Sequence, residues 1–428
     1  MTKSYQKFIL FTTKTDWKKW NSTAHLERME SDVSTIKLGE NLYSVGVLNP
    51  SLRVFDIVMT SPYGTSYNAY LLTGEKNVLV ETVHADYWDE YRANIEAIVP
   101  LEKIDFLIMN HNEPDHSGSV ARLMEYCPNL TVCCTAAGKK HLEDITNRTL
   151  ACRVVKAGDR LELGERTLEF IPSPMLHWAD SMFTWSGRDK ALFTCDFLGT
   201  HFCEPTMLDT GLHYEQEYLC QVKNYYDCIF GPFKPHVLAG LEKIKDLSPA
   251  IVCPSHGPCL TERIGEIKAL YEKWSTPAPR EKKLAAVLYC SAYGCTGALA
   301  AAAAGALEEA GLETVLRDVT YSDPRECAEL ANGCDLLAVG APTINRDAPK
   351  AIWDVLCSID AVNCAKKPAV VFGSYGWSGE AAEMLRTRLA QLRFDVPGAG
   401  YRVLFTPTEA DLEAVRQMAR EAAEKVKK

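Results

Sequence analysis

Among its 16 cysteines the chain has no C-x-x-C pair, and no cysteine lies before Cys127. The first absence excludes a zinc ribbon or a four-thiolate iron site of its own. The second, in a chain of 428 residues that can bury a core unaided, argues against a disulfide framework. The thiols are expected to be reduced, half-buried small hydrophobes of a cytoplasmic protein. No apolar run approaches the ~18 residues that cross a bilayer. The patch Phe8–Phe11 falls short of the roughly 7–15-residue core of a secretory signal. No membrane partner is therefore expected. Lys and Arg form no basic run, and the net charge is −10, so no nucleic acid is expected either.

What is present is ordinary globular material. Hydrophobic residues make up 47% and charged residues 24%, which supports a buried core and rules out a disordered or coiled-coil chain. At roughly 150 residues per domain, two or three domains are expected. The clearest break is Ser275–Lys283, with two prolines, several charges and no apolar anchor. It predicts an extension at 1–32, a first domain at 33–274, a linker at 275–283 and a second domain at 284–428.

The first domain opens with strand-like runs at Asn41–Leu48, Val54–Met59, Asn68–Leu72 and Asn77–Val83, followed by a helical pattern at Ala85–Ile98. Further strands are expected at Ile104–Met109, Leu130–Cys134, Thr167–Ile171, Lys190–Thr194 and Ala250–Cys253. The second domain alternates strands (Leu284–Cys290, Thr314–Val319, Asp335–Val339, Pro368–Phe372, Tyr401–Leu404) with helices, the pattern of a parallel sheet covered on both faces. Its last helix is expected to start near Thr408, and the Ala-rich stretch 300–304 reads as a helix packed closely on the sheet.

Two groups of residues carry chemistry. His111-Asn-Glu113-Pro-Asp115-His116 puts four potential metal ligands within six residues at the end of a buried strand, with Pro114 expected to block helix there. His177, Asp196 and His256 follow other strands, whose ends converge on one edge of a packed sheet. His25, His84, His141, His201, His213 and His236 lack that placement and read as surface or core residues. Cys195 and Cys253 flank ligands but read as packing. In the second domain, three loops follow three strands: Ser291–Gly297, Ala341–Arg346 and Gly373–Gly379. The first has hydroxyls and backbone N–H groups before a helix, which suits a phosphate. It is neither a Walker loop nor G-x-G-x-x-G. Tyr375 and Trp377 can shield a flat ring, and doubly wound sheets bind ligands at these strand ends.

Together these residues carry a resemblance. The series H-x-E-x-D-H, a distant His, an Asp after a strand and a final His resembles the metallo-β-lactamase fold, whose usual dizinc members have His where this chain has Glu113. Glu81, after Val80, stands where such folds often carry Asp. With Glu113 and the second domain, the chain resembles the flavodiiron proteins (A-type flavoproteins) from about residue 33 onward. The resemblance implies an N-terminal αββα metallo-β-lactamase-like sandwich followed by a flavodoxin-like doubly wound parallel five-stranded sheet. It implies one iron bound by His111, Glu113 and His177, and another by Asp115, His256 and, in some members, His116, with Asp196 bridging. Three carboxylates and three or four imidazoles make a hard N/O site suited to iron. The loops resemble those that hold FMN, implying contacts from Ser291, Tyr293, Gly294, Cys295, Thr296 and Gly297, from Pro342, Thr343, Ile344 and Asn345, and from Ser374, Tyr375, Gly376, Trp377, Ser378 and Gly379.

The implied activity is reduction of O2 to water, of NO to N2O, or both. A reduced diiron centre and a reduced FMN hold two electrons each, and O2 needs four. Rubredoxin is the implied donor and must be a separate protein, because the chain has no C-x-x-C domain. A head-to-tail homodimer or a dimer of dimers is implied as well. Two rival readings are a dizinc hydrolase working through a metal-bound hydroxide and a non-catalytic flavodoxin-type electron carrier.

Overall fold

A computed structural model describes residues 35–427, so the extension at 1–32 lies outside the described residues. The described residues fall into two compact units, with the break between Thr276 and Pro277.

The first unit is two sheets face to face. Seven strands lie side by side in chain order: Ile36–Lys37, Leu42–Ser44, Tyr70–Leu72, Asn77–Val80, Ile104–Ile108, Thr131–Cys134 and Cys152–Val154. Pairing is antiparallel up to Asn77–Val80 and parallel beyond it. Five strands form the second sheet, again in chain order: Arg160–Glu162, Thr167–Pro172, Met182–Ser186, Ala191–Cys195 and Ile251–Pro254. Only the last pair is parallel.

Alternation decides which face goes where. Val78 and Val80 join Leu168, Phe170, Met182 and Phe193 in a core between the sheets. Leu79 and Leu107 point to the opposite side, into a core with Trp88, Tyr91 and Ile95 of the helix Trp88–Glu96. Phe183, Leu192 and Val252 of the second sheet likewise meet Tyr225 and Tyr271 of the helices Glu215–Tyr225 and Ile264–Ser275. The layers are therefore helix, sheet, sheet, helix, the αββα sandwich.

The second unit is one parallel sheet with the spatial order Glu313–Asp318, Leu284–Tyr289, Leu336–Gly340, Ala369–Tyr375, Tyr401–Leu404. Every pair is parallel. In chain order this is 2-1-3-4-5, the flavodoxin-like doubly wound order. One face packs against Ala300, Ala303, Ala304 and Ala306 of the helix Cys295–Glu309 and against Ala419, Ala422 and Ala423 of the helix Glu409–Lys427. Side chains this small let both helices lie close on the sheet and on each other. Thr408 caps the last helix: its backbone N–H donates to Asp411 Oδ2 (2.7 Å), and its hydroxyl accepts from the Asp411 N–H (3.3 Å).

Several sequence expectations are corrected. Val54–Met59 is not one strand but the arms of a tight hairpin, Val54–Phe55 and Met59–Thr60, turned through Asp56 and Ile57 at φ 47° and 68°. Asn41–Leu48 divides at Val45, and its second part, Val47–Asn49, pairs with Thr65–Tyr67 in a separate ribbon. The helix Pro324–Gly333, capped by Asp323, escaped the periodicity reading. Ten of the sixteen cysteines are buried outright rather than half-buried. Among the described residues no helix is long and apolar enough to cross a membrane.

Gly373 shows how tightly the parallel sheet of the second unit is drawn in. A Cβ there would sit 2.3 Å from the carbonyl oxygen of Ala341, which is backbone and cannot step aside. Gly373→Ala is expected to cost about 1–3 kcal/mol and to loosen the loops that follow both strands. Thermal denaturation followed by flavin fluorescence should show earlier unfolding and earlier FMN release than in the parent protein.

Candidate metal centre and flavin site

Four strand ends of the first unit bring acids and imidazoles together. Ile104–Ile108 leads through Met109 and Asn110 to His111, and Thr167–Pro172 leads to the loop of His177. Ala191–Cys195 delivers Asp196, and Ile251–Pro254 delivers His256. Asp115 and His116 lie in the one-turn helix Pro114–Ser117. The expectation that Pro114 blocks helix is thus corrected. Proline stands at the first helical position, where its missing N–H would be unpaired anyway and its fixed φ suits the turn.

The donors form two sets that share one residue. Glu113 Oε2 lies 3.3 Å from His111 Nε2 and 3.1 Å from His177 Nε2, and Asp196 Oδ2 lies 3.7 and 3.5 Å from the same two nitrogens. Asp115 Oδ2 lies 3.4 Å from His116 Nε2 and 3.0 Å from His256 Nε2, and Asp196 Oδ1 lies 3.2 and 3.5 Å from those. Each oxygen of Asp196 therefore serves a different set. Donors bound ~2.1 Å from a common ion stand roughly 3.0–3.4 Å apart, close to these separations. A third group, Glu81, His116 and Cys195, shares His116. Burial raises the Cys195 thiol well above its usual range, which suits packing better than ligation.

The outer nitrogens fix which way each ring faces. His256 Nδ1 donates to the carbonyl of Ser66 (2.6 Å), and His111 Nδ1 pairs with Asp180 Oδ1 (3.1 Å). Both contacts leave Nε2 as the lone pair turned inward, the arrangement that metal-binding histidines use. Asp180 is itself held by Asn112 Nδ2 (2.7 Å) and has His141 Nδ1 at 3.5 Å. Asn68 Nδ2 donates to the carbonyls of Pro254 (2.7 Å) and Gly257 (2.8 Å), bracing the loop of His256.

Without a cation, protons must balance the buried acids. Burial alone would raise Glu113, but hydrogen bonds from His111 and His177 outweigh it and bring it down to about 2. Burial also works against Asp196, yet the charge of His116 and bonds from His116 and His177 hold it well below the carboxylate range. Burial would lower His116; the Asp115 and Asp196 carboxylates instead push it up to about 10. Metal ions would replace these protons. Asp115 Oδ1 is buried with no hydrogen-bond partner, and Asp115 Oδ2 and Asp196 Oδ2 face imidazole nitrogens at 3.0–3.7 Å, so a cation fits the donor set.

Other side chains reach the centre that the sequence reading did not place there. The cleft beside the two sets is also lined by Phe55, Asp56, His201, Tyr225 and Ile229, and its free volume is ≈10 Å³, on the scale of one water. Burial, then the charges of Glu113 and Asp115, pushes Asp56 up to about 6. Tyr225 Oη donates to Asp196 Oδ1 (3.1 Å). His201 stays with the core, as its sequence placement allowed, but also faces the cleft; burial and the facing His256 keep it neutral. Glu81, deeply buried behind His116, is pushed up to about 8 by that burial and accepts the Asn110 N–H at 2.8 Å. Asp180 had a weak signal three residues after His177, and His201 one five residues after Asp196. Asp56 had none, because its neighbours read as a strand.

In the second unit, the three predicted loops lie at the carboxyl ends of adjacent parallel strands, around the point where strand order reverses. Ser291 Oγ accepts the Gly297 N–H (3.1 Å), and Thr296 Oγ1 meets Ser374 Oγ at 2.8 Å, tying the first loop to the third. Gly294 caps the helix Cys295–Glu309 at φ 83° with open space where a Cβ would go, a cradle suited to a phosphate. The Thr343 N–H donates to the Ser374 carbonyl (2.9 Å), while Ile344 and Asp347 bridge across Asn345 and Arg346, both at positive φ. Tyr375 ends its strand, half-buried against Gly379. Tyr293 and Trp377 stand out at 95% and 76% exposure. The Arg346 guanidinium lies 5.9 Å from the centre of the Trp377 ring, and a flavin ring would cover apolar surface that both aromatics leave exposed.

Comparison with known proteins matches both halves. Residues 65–257 match the family model described as ODP family beta lactamase, and residues 287–419 match that of flavodoxin. The chain is 46% identical to flavo-diiron protein FprA2 of Clostridium acetobutylicum over 91% of this chain and 99% of that one. It is 32% identical to the type A flavoprotein fprA of Rhodobacter capsulatus, covering 93% of each. Among solved structures, the flavodiiron protein from Giardia intestinalis superposes with a TM-score of 0.65 at 28% identity, over 92% of this chain and 97% of that one. Rubredoxin oxygen:oxidoreductase from Desulfovibrio gigas gives 0.65 at 28%, over 92% and 98%.

Asp180→Ala removes the acceptor behind His111 without touching an inward-facing donor. Metal affinity is expected to fall roughly 10–100-fold, read by iron analysis after dialysis against graded chelator. Full retention would mean that packing alone orients His111.

Proposed function

The chain belongs to the flavodiiron proteins, and on that premise we propose that it reduces O2 to water, NO to N2O, or both, with electrons entering through FMN from a separate donor such as rubredoxin. It is an oxidoreductase whose cofactors are FMN and a non-haem diiron centre. The observation that carries the reading is Asp196, whose two oxygens face two separate donor sets.

In this reading His111, Glu113 and His177 hold one ion, Asp115, His116 and His256 the other, and Asp196 lies between. When bound, the two irons and the flavin supply the electrons and open positions for a diatomic substrate. The side chains do the rest. Tyr225 fixes Asp196 through Oδ1. Phe55 and Ile229 line the cleft with apolar surface. Ser291, Thr296 and Ser374 would hold the phosphate of FMN, and Trp377 would shield its ring. Support for O2 and rubredoxin comes from the Desulfovibrio gigas relative, which bears both in its name.

Reduced holoprotein, mixed anaerobically with measured O2 or NO, is expected to reoxidise its flavin within the mixing experiment and to consume about four electrons per O2 or two per pair of NO. Asp196→Ala should lose its iron and abolish turnover while keeping one FMN per chain. Joint loss of both cofactors would sink the assignment of separate sites.

We also propose a homodimer or a dimer of dimers, arranged head to tail, in which each flavin serves its partner's metal centre. Two identical chains can make both such contacts through one two-fold axis. Mixing Asp196→Ala with a flavin-free variant of the Ser374–Gly379 loop should restore partial activity after subunit exchange. Confirmed mixed dimers without activity would count against transfer between subunits.

A further inference from the structure

His201 belongs to neither set of metal donors, yet it sits in the same cleft and is only 2% exposed. Its ring lies 4.0 Å from Phe55 between centroids, edge-on to Tyr225 at 4.9 Å and to His256 at 4.8 Å. Gly199 makes that approach possible: a Cβ there would stand 3.0 Å from the carbonyl oxygens of both Asp196 and His256. One nitrogen, Nδ1, is 2.8 Å from Thr65 Oγ1. The other, Nε2, is buried and has no hydrogen-bond partner.

Thr65 Oγ1 can pair with Nδ1 in either direction: accepting from Nδ1–H while its own proton goes to the Ser66 carbonyl at 3.3 Å, or donating to Nδ1 at 2.8 Å. In the second arrangement the ring's own proton sits on Nε2. A buried N–H with no acceptor is costly to maintain, so an acceptor atom entering the cleft that His201 lines would favour the Nε2–H arrangement.

We propose that His201 is a substrate-contacting residue whose Nε2–H donates a hydrogen bond to a terminal acceptor atom of a small diatomic or linear ligand bound in the cleft. The inference rests on the diatomic-reductase reading above and adds the residue that recognises the ligand's outer atom. It makes His201 a determinant of ligand affinity and orientation, distinct from the imidazoles that hold metal.

Azide, a linear anion with acceptor ends, tests this on the holoprotein through its absorption change on binding. His201→Phe keeps the packing against Phe55 and removes the N–H. It is expected to retain full iron and FMN, to weaken azide about tenfold, and to raise KM for O2 or NO by a similar factor. His201→Gln, which returns an amide N–H near the position of Nε2, should stay within about threefold of the parent. Thr65→Val leaves the imidazole but frees it to turn, and should weaken azide severalfold with iron unchanged. Loss of iron in His201→Phe would make His201 a ligand or a support of the ligands, and an unchanged azide affinity at full iron would make it a packing residue; either overturns the proposal. Where His201→Phe does not fold, Thr65→Val decides in the same way. Azide binding that depends on His201 in a protein that reduces neither O2 nor NO would overturn the reductase reading and leave this contact standing.

Discussion

Asp196 is one carboxylate asked to face four imidazoles, and the first unit is arranged around putting it there. Its strand, Ala191–Cys195, is buried at every position, so the chain reaches the centre through an apolar interior. The register shifts between Phe193 and Cys195, and Cys195 then turns through φ 51°. A bulge of this kind re-aims the next side chain, and here that side chain is the shared acid. His111, His177 and His256 come from three other strand ends, two of them in the second sheet with Asp196. The Met182 N–H donates to the Asn110 carbonyl (2.9 Å) and joins the two sheets beside the cluster. Neither sheet alone could assemble the site.

The two sites solve opposite problems. Around Asp196 the charges are buried, so every outward nitrogen needs a named acceptor such as Asp180 or Ser66, and every inward oxygen needs a cation. In the second unit the polar groups satisfy one another through Ser291 to Gly297 and Thr296 to Ser374, while Tyr293 and Trp377 remain at the surface. A buried pocket can exclude everything but a small molecule, and an exposed ring can exchange electrons with a protein that never enters.

Much of this was legible in the sequence because buried strands leave strong traces. Apolar runs ending in His111, Asp196 and His256 mark strand ends, and the alternation after Leu284 marks a parallel sheet. The structure brings all seven predicted metal-site side chains into the two sets. Short edge elements such as Cys152–Val154 and Arg160–Glu162 were not legible, since half-exposed runs of three residues carry no periodicity. Pro114 misled because one residue type both forbids helix interiors and favours helix starts. Asp56 and His201 reach the cleft only through tertiary folding: a hairpin turn in one case, the close approach of two loops at Gly199 in the other. No local pattern encodes either.

The sixteen thiols give the molecule a built-in reporter. Ten are buried, six of them in the first unit (Cys127, Cys133, Cys134, Cys195, Cys253, Cys259) and four in the second (Cys290, Cys327, Cys334, Cys364), while Cys220, Cys228 and Cys357 lie at the surface. Burial pushes Cys134 and Cys195 far up and Cys290 up to about 12, but for Cys134 a hydrogen bond with Cys152 comes first. Thiols of that kind are inert until exposed. Alkylation of each would therefore run at the rate at which its surroundings open, and peptide mapping of the label would give the opening free energy of each unit within one intact chain.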